Sequence, residues 1–102
     1  MHRFIITAGL AALVASQASF VQAASTAPHP GRLLASNCFQ CHGTEGRGGF
    51  ETLAGKSSSE IYKEMKEMQA ETAGQNIMNA HSRGYSDNEL TLIADYFATL
   101  TR

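Results

Sequence analysis

Cys38-Phe39-Gln40-Cys41-His42 places two thiols three positions apart with an imidazole directly after the second. On a helix these residues stand at i, i+3 and i+4 and share one face, so all three side chains address the same object. They include both cysteines of the 102-residue chain. Bonded to each other, Cys38 and Cys41 would close a loop too short to remove much entropy from the unfolded chain. A thioredoxin-like redox pair belongs in a βαβ context, and no segment here has strand periodicity. A zinc site fits poorly too, because the ligands at 41 and 42 are adjacent and no second Cys-x-x-Cys or histidine pair accompanies them.

The pattern that fits is Cys-x-x-Cys-His, the haem-attachment motif. Each thiol adds to one porphyrin vinyl group, and the neighbouring imidazole then meets the iron from beneath the ring. The expectation is therefore one covalent haem c per chain, with Cys38 and Cys41 as thioether tethers and His42 as an axial iron ligand.

Upstream of the motif, His2 and Arg3 precede the apolar run Phe4 to Val14, and Val21-Gln22-Ala23 has the character of a cleavage site. That is the layout of a secretory signal peptide over residues 1–23. The apolar run is shorter than the roughly 18 to 20 residues a spanning helix needs, so no membrane span is expected after cleavage. Export to the periplasm follows, where thiols are oxidised unless something occupies them. Residues 24–30 read as a flexible lead-in, with His29 solvated, and 31–102 as the folded domain.

Losing Arg3 leaves seven Lys and Arg against nine Asp and Glu, a mature charge of −2. Such a chain lacks the basic footprint that grips phosphate backbones, so nucleic acid is excluded as a partner. A domain this small buries little apolar surface by itself and needs a staple. A haem packed among Leu34, Phe39, Phe50, Leu53, Ile77 and Phe97 would complete the core.

Downstream and upstream segments read as helices, giving an all-α fold with three main helices around the haem. The first candidate covers Gly31 to His42, started by Pro30 and ended by Gly43. The second starts at Ser57, with Glu60 completing a capping box, and its apolar face is Ile61, Tyr62, Met65 and Met68. The third starts at Ser86 with Glu89 as a second capping box and Tyr85 and Leu90 as a hydrophobic staple. It buries Leu90, Ile93, Ala94, Phe97 and Leu100. Between the second and third helices, Gly74 to Tyr85 reads as a long irregular connection, and such loops are usually functional.

That connection holds the candidates for the sixth iron position. Met78 can bring its thioether over the haem from a loop without bending a helix, and is the expected ligand. His81 is its rival, and a His/His iron has a lower potential than a His/Met iron. Met65 and Met68 lie on the apolar stripe of a helix, where methionine normally fills gaps. Arg47, Lys56 and Arg83 are candidate partners of the haem propionates, although surface bases are usually just solvated.

Taken together, these residues resemble class I cytochrome c: Asn37 to Gly46 is similar to the attachment region, Leu53-Ala54-Gly55 to the segment under the haem, and Ile77-Met78 to the axial loop. Arg83-Gly84-Tyr85-Ser86 and Ala94-Asp95-Tyr96-Phe97 add a resemblance to the cytochrome subunits of flavocytochrome c sulfide dehydrogenase and to the cytochrome c4 group. The resemblance implies the small cytochrome c fold and electron transfer without bond-making chemistry on the polypeptide. It also implies a flavoprotein subunit as electron donor, since this chain has no flavin motif. Family members often have a proline near Leu53-Ala54-Gly55 whose carbonyl orients the proximal histidine. Phe50-Glu51-Thr52 stands there instead, so the acceptor for the His42 ring N–H is expected among the carbonyls of Gly48 to Leu53. The alternatives are a free-standing carrier to a terminal oxidase or reductase, and a haem-based ligand sensor or peroxidase-like catalyst with Met78 off the iron.

Overall fold

The computed structural model describes residues 27–102, so the expected signal peptide and its cleavage point lie outside the described residues. The described chain is all-α, with α1 at Arg32–Ala35, α2 at Phe39–His42, α3 at Ser58–Ala70, α4 at Ile77–Ser82 and α5 at Asp87–Thr99. Single 3₁₀ turns occupy Ser36–Cys38 and Thr44–Gly46, and no strand occurs among the described residues.

The α5 helix is the centre of the molecule, because α1 and α3 both pack on it, while α4 packs on α3. Its start is fixed by a reciprocal capping box: Glu89 N–H donates to Ser86 Oγ at 3.2 Å and Ser86 N–H donates to Glu89 Oε1 at 3.0 Å. Two otherwise free donors are thereby satisfied. Leu90, Ile93, Ala94, Tyr96 and Phe97 are all buried. Full burial of Phe97 and Leu90 contributes about 1.5–3 kcal/mol each. The exposed pair that joins α5 to α3, Lys66–Asp87 at 2.6 Å, contributes about 1 kcal/mol at most, so the apolar stripe decides how α5 lies.

Four expectations change. The helix read over Gly31 to His42 is two short α-turns joined by a 3₁₀ turn, with Gly31 as N-cap. A Cβ on Gly31 would stand 1.9 Å from the Leu92 carbonyl oxygen, so the residue is glycine because α1 crosses α5 backbone to backbone. At α3 only half of the predicted capping box forms: Ser57 Oγ accepts from Glu60 N–H at 3.2 Å, but the Glu60 carboxylate turns to Lys56 at 3.8 Å. The connection from Gly74 to Tyr85 contains α4, N-capped by Asn76, whose Oδ1 accepts from Asn79 N–H at 2.9 Å. Lastly, His29 is half-buried rather than solvated. Its ring lies 5.7 Å from that of Tyr96, and its Nδ1 accepts from Gly31 N–H at 3.0 Å.

Candidate haem site

A cleft of about 380 Å³ opens between these elements, within the range of small-molecule sites. Cys38, Cys41 and His42 line it from the first helical stretch, Ile61, Glu64, Met65 and Met68 from α3, and Ile77, Met78 and His81 from α4. Phe50, Glu51, Leu53, Ile93 and Phe97 complete much of the wall. The structure thus brings all four sequence-predicted site residues, and every candidate sixth ligand, to one cavity. Leu34 and Phe39 do not line it; they pack against the buried core instead.

The His42 end is built by backbone closure. Gly43, at φ 79°, turns the chain out of α2, and the following loop folds back so that Gly48 N–H donates to the His42 carbonyl at 3.1 Å and Phe50 N–H to the Cys41 carbonyl at 3.0 Å. Gly49 sits between these bonds at φ 68°, and a Cβ there would stand 1.9 Å from the Cys41 carbonyl oxygen. Only glycine permits this approach.

The loop delivers the acceptor that the sequence leaves unassigned. His42 Nδ1 lies 2.9 Å from the Glu51 carbonyl oxygen. A carbonyl only accepts, so Nδ1 carries the proton and, in the neutral ring, Nε2 keeps its lone pair. Such a partner fixes ring orientation and raises the ligand's basicity. Glu51 is itself held: its carboxylate pairs with Lys56, whose side chain is 10 % exposed and whose ammonium also stands 3.8 Å from Glu60 and 3.9 Å from Glu64. The hydrogen bond from Lys56, then its charge, hold the Glu51 carboxyl below its ordinary value, and the same bond to Glu51 raises Lys56.

The two thiols differ in setting. Before attachment, burial pushes the Cys38 thiol up to about 11, whereas Cys41 is exposed. The bases named as propionate candidates are engaged elsewhere: Lys56 by its carboxylates, Arg47 by Glu45 and the Thr101 carbonyl, and Arg83 by the Glu71 carbonyl at 2.9 Å.

Asn79 and Gln69 position α4, and the sequence reading missed both. Asn79 is fully buried beside Met78. Its Nδ2 donates to the carbonyls of Met68 at 2.6 Å and Glu71 at 3.3 Å, and its Oδ1 accepts from Gly74 N–H at 3.1 Å. Gln69 Nε2 donates to the carbonyls of Ser82 at 2.7 Å and Tyr85 at 3.0 Å. Together they clip α4 to the end of α3. An asparagine that caps nothing on its own helix carries no such signal in sequence, because its partners lie on another element.

The residues fit a haem: a mostly apolar cleft, two thiols at one side and an imidazole whose outer nitrogen is already hydrogen-bonded. A cytochrome c family model matches residues 30–101. The chain is also 31% identical over 74 residues to the cytochrome subunit of sulfide dehydrogenase from Chlorobaculum tepidum, covering 71% of this chain and 67% of that protein. With the cleft, the attachment residues and these matches in agreement, the chain belongs to the cytochrome c family and is an electron-transfer protein whose cofactor is a covalently bound c-type haem.

Proposed function

We propose that the chain works in the periplasm as a one-electron carrier with His42 and Met78 as axial iron ligands and Cys38 and Cys41 as the thioether tethers. The observation that carries this reading is the 2.9 Å bond from His42 Nδ1 to the Glu51 carbonyl, which leaves Nε2 as the free nitrogen in a cleft shared with Met78. When bound, the haem supplies a single ferric/ferrous couple. The polypeptide holds the His42 ring in one tautomer, offers a thioether from α4 and surrounds the site with apolar side chains that exclude water. Neutral thioether ligation and an apolar wall favour the less charged ferrous state and raise the potential.

Residues 1–23, with their charged start and apolar run, support export. The relative's name places that protein in a sulfide dehydrogenase, and on that ground we assign this chain the role of haem subunit receiving electrons from a flavin-bearing subunit that oxidises sulfide. The ligand set is tested by absorbance of the exported holoprotein. A thioether-to-ferric-iron charge-transfer band is expected in the wild type and absent in Met78→Ala, with a pyridine haemochrome of c type in both. Its absence from the wild type, with rapid carbon monoxide binding to the ferrous form, would favour a ligand sensor instead. Recovery of a flavoprotein with the tagged cytochrome from periplasmic extract supports the subunit role, whereas a solitary haem protein supports a free-standing carrier.

A further inference from the structure

Met78 and His81 stand at i and i+3 on α4 and both line the haem cleft, as residues on one helix face do. The rest of the helix is committed elsewhere. Asn79 and Ser82 are fully buried, Asn79 against the end of α3 and Ser82 with its hydroxyl donating to the Asn79 carbonyl at 3.1 Å. The cleft face of α4 therefore presents a thioether and, one turn on, an imidazole.

His81 is also at a boundary. Besides the haem cleft it lines a second, more polar cavity of about 480 Å³, shared with Asn37, Gln40 and Tyr85 among others, and it is exposed. Its ring has room on both sides of the partition between cleft and surface. The two candidate ligands differ by three residues of helical rise, or about 4.5 Å along the axis. A shift of that size breaks the bonds by which Asn79 holds α4 to the end of α3 and to Gly74, but the segment before α4 leaves room for it. Residues 71–77 are exposed, and Gly74, at φ 82°, has open space where a Cβ would stand.

We propose that His81 is a reserve axial ligand: when the Met78 thioether is removed or oxidised, the His81 imidazole occupies the sixth position in its place. This rests on Met78 being the resident ligand. Imidazole suits iron at least as well as a thioether does, and His/His ligation has the lower potential. The holoprotein would then lose driving force without opening its iron to small ligands. The oxidative route is balanced: a peroxide passes one oxygen to Met78 Sδ, forming the sulfoxide, and leaves as water or alcohol. The neutral His81 ring then donates the lone pair of its unprotonated nitrogen, while the other ring nitrogen keeps its proton.

The test compares ferric spectra and ferrous carbon monoxide binding of the holoprotein in Met78→Ala and Met78→Ala/His81→Ala. Expected in Met78→Ala is a six-coordinate low-spin spectrum without the thioether band and with slow carbon monoxide binding. In the double variant, a high-spin spectrum and fast binding are expected. If Met78→Ala is already high-spin and binds carbon monoxide as fast as the double variant, the inference is overturned. A double variant that stays low-spin overturns it equally, since some other side chain is then the reserve. Should the substituted proteins not accumulate, peroxide-treated wild type and peroxide-treated His81→Ala, with the sulfoxide at Met78 verified by mass, give the same comparison. Failure of the underlying reading looks different: the thioether band is missing from the wild type, and Met78→Ala leaves the spectrum unchanged.

Discussion

Asn79 shows how one side chain can place a ligand it does not touch with its own chemistry. It spends both amide hydrogens and its carbonyl on the backbone of Met68, Glu71 and Gly74, and it does so at 0 % exposure. Replacing it with an apolar residue of similar size removes three part-buried hydrogen bonds, each contributing about 0.5–1.5 kcal/mol, and leaves the Gly74 N–H without its partner while the Met68 and Glu71 carbonyls keep those from Glu71 N–H and Arg83. Asn79→Leu is therefore expected to destabilise the holoprotein by about 2–4 kcal/mol and to weaken the thioether charge-transfer band more than it shifts the Soret band. Denaturant unfolding followed at both wavelengths checks this. Coincident loss of the two signals would make Asn79 a residue of general stability instead of one that positions α4.

At the scale of elements, the contact between α3 and α5 has both an apolar and an ionic part. Ile61 and Met65 face the buried stripe of α5. Lys66 Nζ reaches Asp87 Oδ1 at 2.6 Å and Gln69 Oε1 at 3.0 Å, while the Ser58 hydroxyl donates to Asp95 at the other end. The hydrogen bond to Asp87 raises Lys66 above its ordinary value of 10.5. A raised lysine contributes stability that is fully present below its unfolded-state value and is lost as pH climbs through the folded-state one. The stability difference between wild type and Lys66→Met should accordingly be constant from neutral pH up to the unfolded-state value of lysine and shrink to nothing at strongly alkaline pH. Because Lys66 lies at the surface, the difference is small, and thermal midpoints across an alkaline pH series give it directly. A difference that grows with pH would mean the pair is unfavourable in the folded protein.

For the molecule as a whole, the haem cleft is lined by residues that also belong to the core. Ile61, Met65, Ile93 and Phe97 appear in both, so the walls of the cofactor site and the packing of α3 on α5 are one structure. Without its haem the cleft of about 380 Å³ would either fill with water beside apolar walls or collapse, and either outcome sacrifices burial that a domain of this size cannot spare. Cys38→Ala/Cys41→Ala, which cannot form thioethers, is expected to lose most of its cooperative thermal transition, with far-ultraviolet helicity reduced at room temperature. A double variant that melts as sharply as wild type while remaining haem-free would show that the polypeptide core suffices.

Much of this architecture is legible in the amino-acid order, and the reason is locality. The attachment motif, the capping box at Ser86 and Glu89, and the apolar stripe of α5 each involve residues within a few helical turns, so spacing reports them. The break in the first helix, the short helix inside the Gly74 to Tyr85 connection and the packing of His29 on Tyr96 depend on partners far along the chain. The clearest case is His42. That it needs a ring N–H acceptor follows from its chemistry, and the nearby loop is the natural source, but the choice of the Glu51 carbonyl depends on Gly49 closing on Cys41 and on Lys56 holding Glu51 among three carboxylates. Composition and spacing determined by themselves that this chain is a helical protein built to carry a covalent haem. Only the tertiary structure decided which backbone oxygen orients the histidine and which side chains share the cleft, because those contacts are made between segments that no periodicity connects.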